Sequence, residues 1–99
     1  MLTKEDILQY LSENKDLFRE KYNIIKLGVF GSFARNEQTE NSDIDIIIEM
    51  DRNTEKIFEK KQEIRRILKN KYHREIDLCR ERSIKPIFKS YILNEAIYV

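Results

Sequence analysis

Asp43-Ile44-Asp45 opens an apolar run that continues through Ile46, Ile47 and Ile48, a pattern that suits an extended strand with one polar and one apolar face. Successive strand side chains point to opposite faces, so Asp43 and Asp45 share one face while Ile44, Ile46 and Ile48 share the other. Two carboxylates converge as a result. Like charges that close repel and are costly to desolvate unless a cation lies between them, and hard oxygen ligands suit Mg²⁺. An Asp-x-Asp pair alone is common, and a polar strand edge would account for it equally well. The upstream context adds weight: the run Ile24 to Phe30 reads as another strand and ends at Gly31-Ser32-Phe33-Ala34-Arg35, with ten residues between Ser32 and Asp43. Glycine at a strand end lets a phosphate approach the backbone closely, and the first turn of a following short helix offers unpaired N–H groups. A phosphate cradle beside a metal-binding carboxylate pair equips a site for phosphoryl or nucleotidyl transfer.

The rest of the chain supplies a frame for that site. Thr3 predicts the N-cap of a first helix with Ile7, Leu8 and Leu11 on one face; an interruption is expected near Ser12 to Asn14, and Leu17, Phe18 and Tyr22 then continue the helical period, the aromatics as core. Asn36 to Ser42 reads as a polar connection able to move over a bound nucleotide, with Ser42 shaping the turn before Asp43. Asp51 to Thr54 predicts a turn and N-cap, and Glu55 to Lys71 a helix whose Ile57, Ile64, Ile67 and Leu68 cover the sheet while Lys60, Lys61, Arg65, Arg66 and Lys69 face solvent. His73, without nearby partners, reads as a surface residue. Glu75 to Cys79 alternates again, with Ile76 and Leu78 towards the core, Asp77 on the other face and Cys79 as a small buried hydrophobe. Ser83 and Pro86 open a last amphipathic helix that extends to Ile97 and either completes the core or offers Phe88, Tyr91, Ile92 and Tyr98 to a partner. Three Ile- and Val-rich strands separated by helices, with the acids on one face, imply an α/β domain whose helices pack mainly on the opposite face.

Length and charge limit the function classes. Ninety-nine residues suffice for one domain, residues 1–99, with one modest core. With 19 Lys and Arg against 18 Asp and Glu, the net charge of +1 argues against a broad electrostatic grip on nucleic acid, although a local basic patch is compatible with it. Cys79 is the single cysteine, which excludes an intrachain disulfide and fits a reducing cytosol. The charged N-terminal stretch has no long apolar segment, so neither a secretion signal nor a membrane span is expected, and the expected location is cytoplasmic. No Gly-x-x-x-x-Gly-Lys-Ser/Thr occurs, which sets a P-loop NTPase aside.

Gly31-Ser32, the following gap, Asp43-x-Asp45 and a later strand carboxylate resemble the nucleotidyltransferase superfamily of the DNA polymerase beta type. Within it, Gly-Ser-Phe-Ala-Arg followed by Ser42-Asp43-Ile44-Asp45 is similar to the minimal nucleotidyltransferases, small proteins often paired with HEPN-type toxins. Asn36 stands where that family usually has a second glycine, and Asn tolerates the left-handed backbone such a turn needs. The resemblance implies a mixed, palm-like sheet and a carboxylate triad of Asp43, Asp45 and Asp77 holding two Mg²⁺ ions, with Asp77 helping to deprotonate the attacking hydroxyl. It implies ATP or another NTP as co-substrate, with Gly31, Ser32 and Arg35 on its phosphates; an ion pair of Arg35 with Glu37 or Glu40 is the plain alternative. It also implies a HEPN-type toxin as hetero-oligomeric partner, whose tyrosine would receive AMP. Two other readings stand beside this one: a non-catalytic antitoxin that neutralises its partner by contact, and a nucleotidyltransferase acting on RNA or a small molecule.

Overall fold

A computed structural model describes residues 1–99, and two strands at its centre fix the rest. β1 (Ile24–Phe30) and β2 (Ile44–Met50) pair antiparallel, with Leu27 opposite Ile48, Val29 opposite Ile46 and Phe30 opposite Asp45. β3 (Ile76–Arg80) joins the other edge of β2 in parallel, and β4 (Ile97–Tyr98) joins β1 antiparallel, giving a mixed sheet of order β3-β2-β1-β4. A parallel pair needs a crossover, here α4 (Ile57–Tyr72), which returns the chain across one face.

That face carries the core. Leu27, Val29, Ile44, Ile46, Ile48, Met50, Ile76 and Leu78 are buried beneath Ile7 and Leu11 of α1 (Lys4–Glu13), Phe18 and Tyr22 of α2 (Lys15–Tyr22), and Ile64 and Leu68 of α4. Full burial of an aliphatic or aromatic side chain stabilises by about 1.5–3 kcal/mol before chain entropy is charged against it. Thr3 caps α1 as its sequence predicts: Asp6 N–H donates to Thr3 Oγ1 (3.2 Å) and Thr3 N–H donates to Asp6 Oδ2 (3.0 Å), a reciprocal capping box. The interruption falls at Asn14, and α2 ends at Asn23 with a left-handed φ of 62°. Phe18 and Tyr22 are core, while Leu17 lies one residue off their stripe and is exposed.

Two element boundaries also move. Thr54 does not cap α4; its hydroxyl donates to Asp51 O within the turn, and Lys56, left-handed at φ 55°, is the residue before the helix. The last helix, α5 (Pro86–Glu95), begins with Pro at its first position after Lys85, while Ser83 lies in a short 3₁₀ turn, Glu81–Ser83. Ile97 leaves the helix for β4, because the unpaired edge of β1 offers it backbone hydrogen bonds. α5 packs on the face opposite α1, α2 and α4, where Ile92, Leu93 and Ala96 meet Phe30, Ile47 and Ile84, and half-buried Cys79 packs with them. Ile92 thus belongs to this second cluster and Tyr98 to the sheet, its hydroxyl donating to Glu81 Oε2 (2.8 Å). Ile87, Phe88 and Tyr91 remain exposed. On the same side, the nearly buried Glu49 accepts from Met50 N–H and Arg82 N–H (both 2.8 Å) and pairs with Arg80 and Arg82. Burial alone would raise its pKa; those hydrogen bonds outweigh burial and hold it below the ordinary carboxylate value. No helix is long and apolar enough to cross a membrane.

Gly28 is what allows β4 to dock. A Cβ built there would lie 2.5 Å from Ile97 O and 3.0 Å from Tyr98 Cα, too close for any side chain without backbone movement. Gly28→Ala is therefore expected to destabilise the protein by about 1–3 kcal/mol, the usual scale of overpacking. Thermal unfolding measures it, and an unchanged midpoint would mean that β4 is not seated on β1.

Candidate functional site

The acid-bearing strand face and the turn after β1 meet at one point. β2 and β3 run parallel with Asp45 directly opposite Asp77, so both carboxylates project from neighbouring positions on the face away from the main core. Asp77 is the carboxylate that acts most strongly on Asp45. Burial first, then the charge and hydrogen bond of Asp77, then the charge of Asp43 push the Asp45 carboxyl up to about 6, with Arg35 pulling in the other direction. Asp43 is exposed and lies just before β2. The three acids do not form a closed cage: no group of three His, Cys, Asp or Glu side chains converges closely enough to enclose a metal ion. Asp45 and Asp77 form the pair, and Asp43 acts on it through charge.

Gly31 begins the single-turn helix α3 (Gly31–Ala34) with φ 72°, in the region that favours glycine. A Cβ there would lie 2.0 Å from Asp45 Oδ2. Glycine is required twice, by its backbone conformation and by the carboxylate packed against it. Phe33 is fully buried and anchors α3 in the core, so the turn cannot drift from the strand ends. Ser32 is partly exposed beside Gly31, and its carbonyl accepts from Glu37 N–H (2.9 Å). Asn36 takes the left-handed conformation, φ 58°, that its position demands.

Arg35 is engaged on two sides, its Nε donating to Glu37 Oε1 and its Nη1 to Glu95 Oε2, each at 2.7 Å. These hydrogen bonds, that to Glu95 first, raise the Arg35 pKa. The Glu37 pair is one of the partners the sequence suggests, whereas Glu95 was not foreseen. Its other oxygen accepts from Gly31 N–H at 3.0 Å. A signal for it did exist: the last turn of a helix disfavours an acid, so an acid there calls for a compensating partner. Arg74 is the second residue that sequence reasoning missed. Its Nη1 donates to Thr39 O (3.0 Å) and Ser42 O (2.9 Å), and its guanidinium lies 5.4 Å from the Phe33 ring centre. Arg74, two residues before β3, thereby ties the 36–42 connection to the approach to β3 and packs over Phe33 of α3. Ser42 shapes this connection by accepting from Thr39 N–H (2.8 Å). Asp43 and Arg74 line a shallow polar cavity of about 210 Å³; a larger one of about 500 Å³ lies further along β2, at Glu49, away from the paired carboxylates.

Comparison with known proteins agrees with this architecture. Residues 11–99 match the family model described as a nucleotidyltransferase domain. A protein of Methanocaldococcus jannaschii, provisionally named a protein adenylyltransferase, is 37% identical over 100% of both chains. Among solved structures, one described as a minimal nucleotidyltransferase superposes with a TM-score of 0.78 at 23% identity, covering 97% of this chain and 95% of that one. A toxin–antitoxin structure with AMP-PNP superposes at 0.68 and 22% identity, covering 98% of this chain and 72% of that chain. At these identities the two superpositions establish the fold.

The Asp45 value has a thermodynamic consequence. Its unfolded reference is 3.8 and its folded value about 6, so between them the folded state binds more protons than the unfolded chain, and stability falls as pH rises through this window. Asp45→Asn removes that penalty. In metal-free buffer the variant should unfold at a higher temperature than wild type at about pH 7.5 and at nearly the same temperature at about pH 3, as read by thermal melts.

Proposed function

This chain belongs to the nucleotidyltransferase domain family, and from that premise we propose that it transfers AMP from ATP to a hydroxyl of a partner protein, a tyrosine of a HEPN-type toxin. It would thereby act as the antitoxin of a hetero-oligomeric cytoplasmic pair, working as one domain over residues 1–99. The observation that carries the reading is the Asp45–Asp77 pair set against the Gly31 backbone. That arrangement sets hard, negatively charged oxygen donors against a turn whose N–H and neighbouring guanidinium already bind an anion, the Glu95 carboxylate.

Asp43, Asp45 and Asp77 would hold two Mg²⁺ ions, whose chemistry is to lower the pKa of the acceptor hydroxyl and to neutralise the triphosphate and the leaving pyrophosphate. The donor set fits such ions by its chemistry: all three are carboxylates, hard oxygen donors, and the charges of Asp77 and Asp43 raise the Asp45 pKa, a repulsion that a cation would relieve. The acceptor oxygen forms a bond to the α-phosphorus, the bond from that phosphorus to the β-bridging oxygen breaks, and pyrophosphate leaves. Asp77, the most exposed of the facing pair, takes the hydroxyl proton. Gly31 N–H and the Ser32 hydroxyl hold phosphate oxygens, and Arg35 contributes its charge. The 36–42 connection, pinned by Arg74 at both Thr39 and Ser42, keeps Asp43 at the rim of the pair.

The acceptor assignment is supported by the toxin–antitoxin neighbour and the adenylyltransferase relative, and by the exposed apolar side chains Ile87, Phe88 and Tyr91 on the outer side of α5. Large apolar and aromatic side chains suit anchor positions in an interface.

Mass spectrometry of the partner after co-expression is the direct test. A nucleotide adduct on the partner is expected with wild type and absent with Asp43→Asn, Asp45→Asn or Asp77→Asn, all of which should stay folded. Ser32→Ala, which loses one hydrogen bond to phosphate, should retain measurable transfer. Silencing of the toxin by wild type and Asp43→Asn alike, without an adduct, would replace the enzyme reading with neutralisation by contact. ATP binding should also weaken strongly when EDTA replaces Mg²⁺, because the carboxylates and the triphosphate then repel; calorimetry with and without EDTA reads this difference.

A further inference from the structure

Glu95 occupies an unusual position. It is the last residue of α5, its side chain is only 14% exposed, and its two oxygens are taken by different donors of the nucleotide turn. Oε1 accepts from Gly31 N–H at 3.0 Å and Oε2 from Arg35 Nη1 at 2.7 Å. These are the two groups that the functional reading above assigns to phosphate oxygens. We propose that the Glu95 carboxylate is a tethered stand-in for a phosphate: it fills the anion seat in the nucleotide-free protein, and an incoming triphosphate must displace it.

This inference rests on the assignment of Gly31 and Arg35 to the nucleotide. One N–H donates one strong hydrogen bond, so Gly31 cannot serve a carboxylate and a phosphate together, and two anions on one guanidinium edge repel. The helix does not favour keeping Glu95 where it is, since an acid at a helix C-terminus opposes the macrodipole. Its hold comes from the seat itself. Arg35 is suited to an exchange of partners because Glu37 grips its Nε separately. When Glu95 leaves Nη1, the guanidinium keeps one anchor and its orientation. The tether places the competing anion permanently at high local concentration, so the apparent affinity for nucleotide falls by the fraction of time the seat is open.

A merely structural role would have the opposite signature. If Glu95 only fastened α5 to the turn, removing its charge would loosen the site and weaken nucleotide binding. As a competitor, its removal strengthens binding. Glu95→Gln is isosteric and keeps an amide oxygen for Gly31 N–H, so the fold should survive, with thermal unfolding as the control. Titration calorimetry of the full chain with MgATP is expected to show about three- to tenfold tighter binding for Glu95→Gln than for wild type, the gain appearing in KM rather than in kcat. Binding that is unchanged or weaker in the variant overturns the inference and leaves the nucleotide reading intact; no MgATP binding by either protein overturns both. An independent measurement uses the wild-type protein alone. The scalar coupling across the hydrogen bond from Gly31 ¹⁵N to the Glu95 carboxylate carbon should be visible in the free protein and vanish on saturation with Mg²⁺ and AMP-PNP. Its persistence in the saturated protein overturns the proposal even if the variant fails to fold.

Discussion

The contact of Asp45 with the Gly31 backbone is the constraint from which the site follows. β1 ends at Phe30, which lies opposite Asp45 in the sheet, so the next residue must turn away beneath that carboxylate. Only a residue without a Cβ can do so, because the added atom would sit 2.0 Å from Asp45 Oδ2. Any side chain at position 31 would force the carboxylate aside and with it the register of charge across to Asp77. Phe33, two residues on and fully buried, converts this local turn into a fixed one, since α3 cannot shift without opening the core.

The sheet can carry a repelling carboxylate pair because its two faces do different work. Apolar side chains of β1, β2 and β3 bury one face under three helices, and that face supplies most of the burial on which stability rests. The other face is only partly covered. α5 packs over Phe30 and Ile47, while Asp45 stays half-buried and Asp77 exposed. Partial burial there is what lifts Asp45 to about 6. The site is thus a place where the fold tolerates unfavourable electrostatics, and its larger apolar side offsets the cost.

Much of this was legible because strand alternation is a strict rule. Asp45, Asp77, Ile44, Ile46, Ile76 and Leu78 fall on the faces their spacing predicts, and Asn36 adopts the left-handed turn its identity allows. Elements set by tertiary contact were not legible. β4 is two residues long and exists because Gly28 leaves room beside the edge of β1, so helical periodicity ran on through Ile97 without a local signal to stop it. Leu17 continues the α2 period within one position, but only the Phe18–Tyr22 stripe packs into the core. Arg74 and Glu95 reach partners more than thirty residues away, at Thr39, Ser42, Gly31 and Arg35. No period encodes such distances. The one local hint was the misfit of an acid at the end of a helix.

The charges around Gly31 form a single balance rather than separate pairs. Arg35 lowers the Asp45 pKa while donating to both Glu37 and Glu95, so one guanidinium is divided among three carboxylates. Arg74, the other guanidinium nearby, is committed to backbone carbonyls of the 36–42 connection and to the Phe33 ring. Cationic charge at the turn is already spoken for, and a triphosphate bound there, as proposed, would add anions to a site whose guanidinium groups both have partners. Under the proposed reading, binding in this geometry would have two routes to neutrality: a cation arriving with the substrate at the aspartates, and the departure of the resident Glu95 carboxylate. The first would relieve the repulsion at Asp45 and Asp77 and the second would free Arg35; they act on different groups, so neither would substitute for the other.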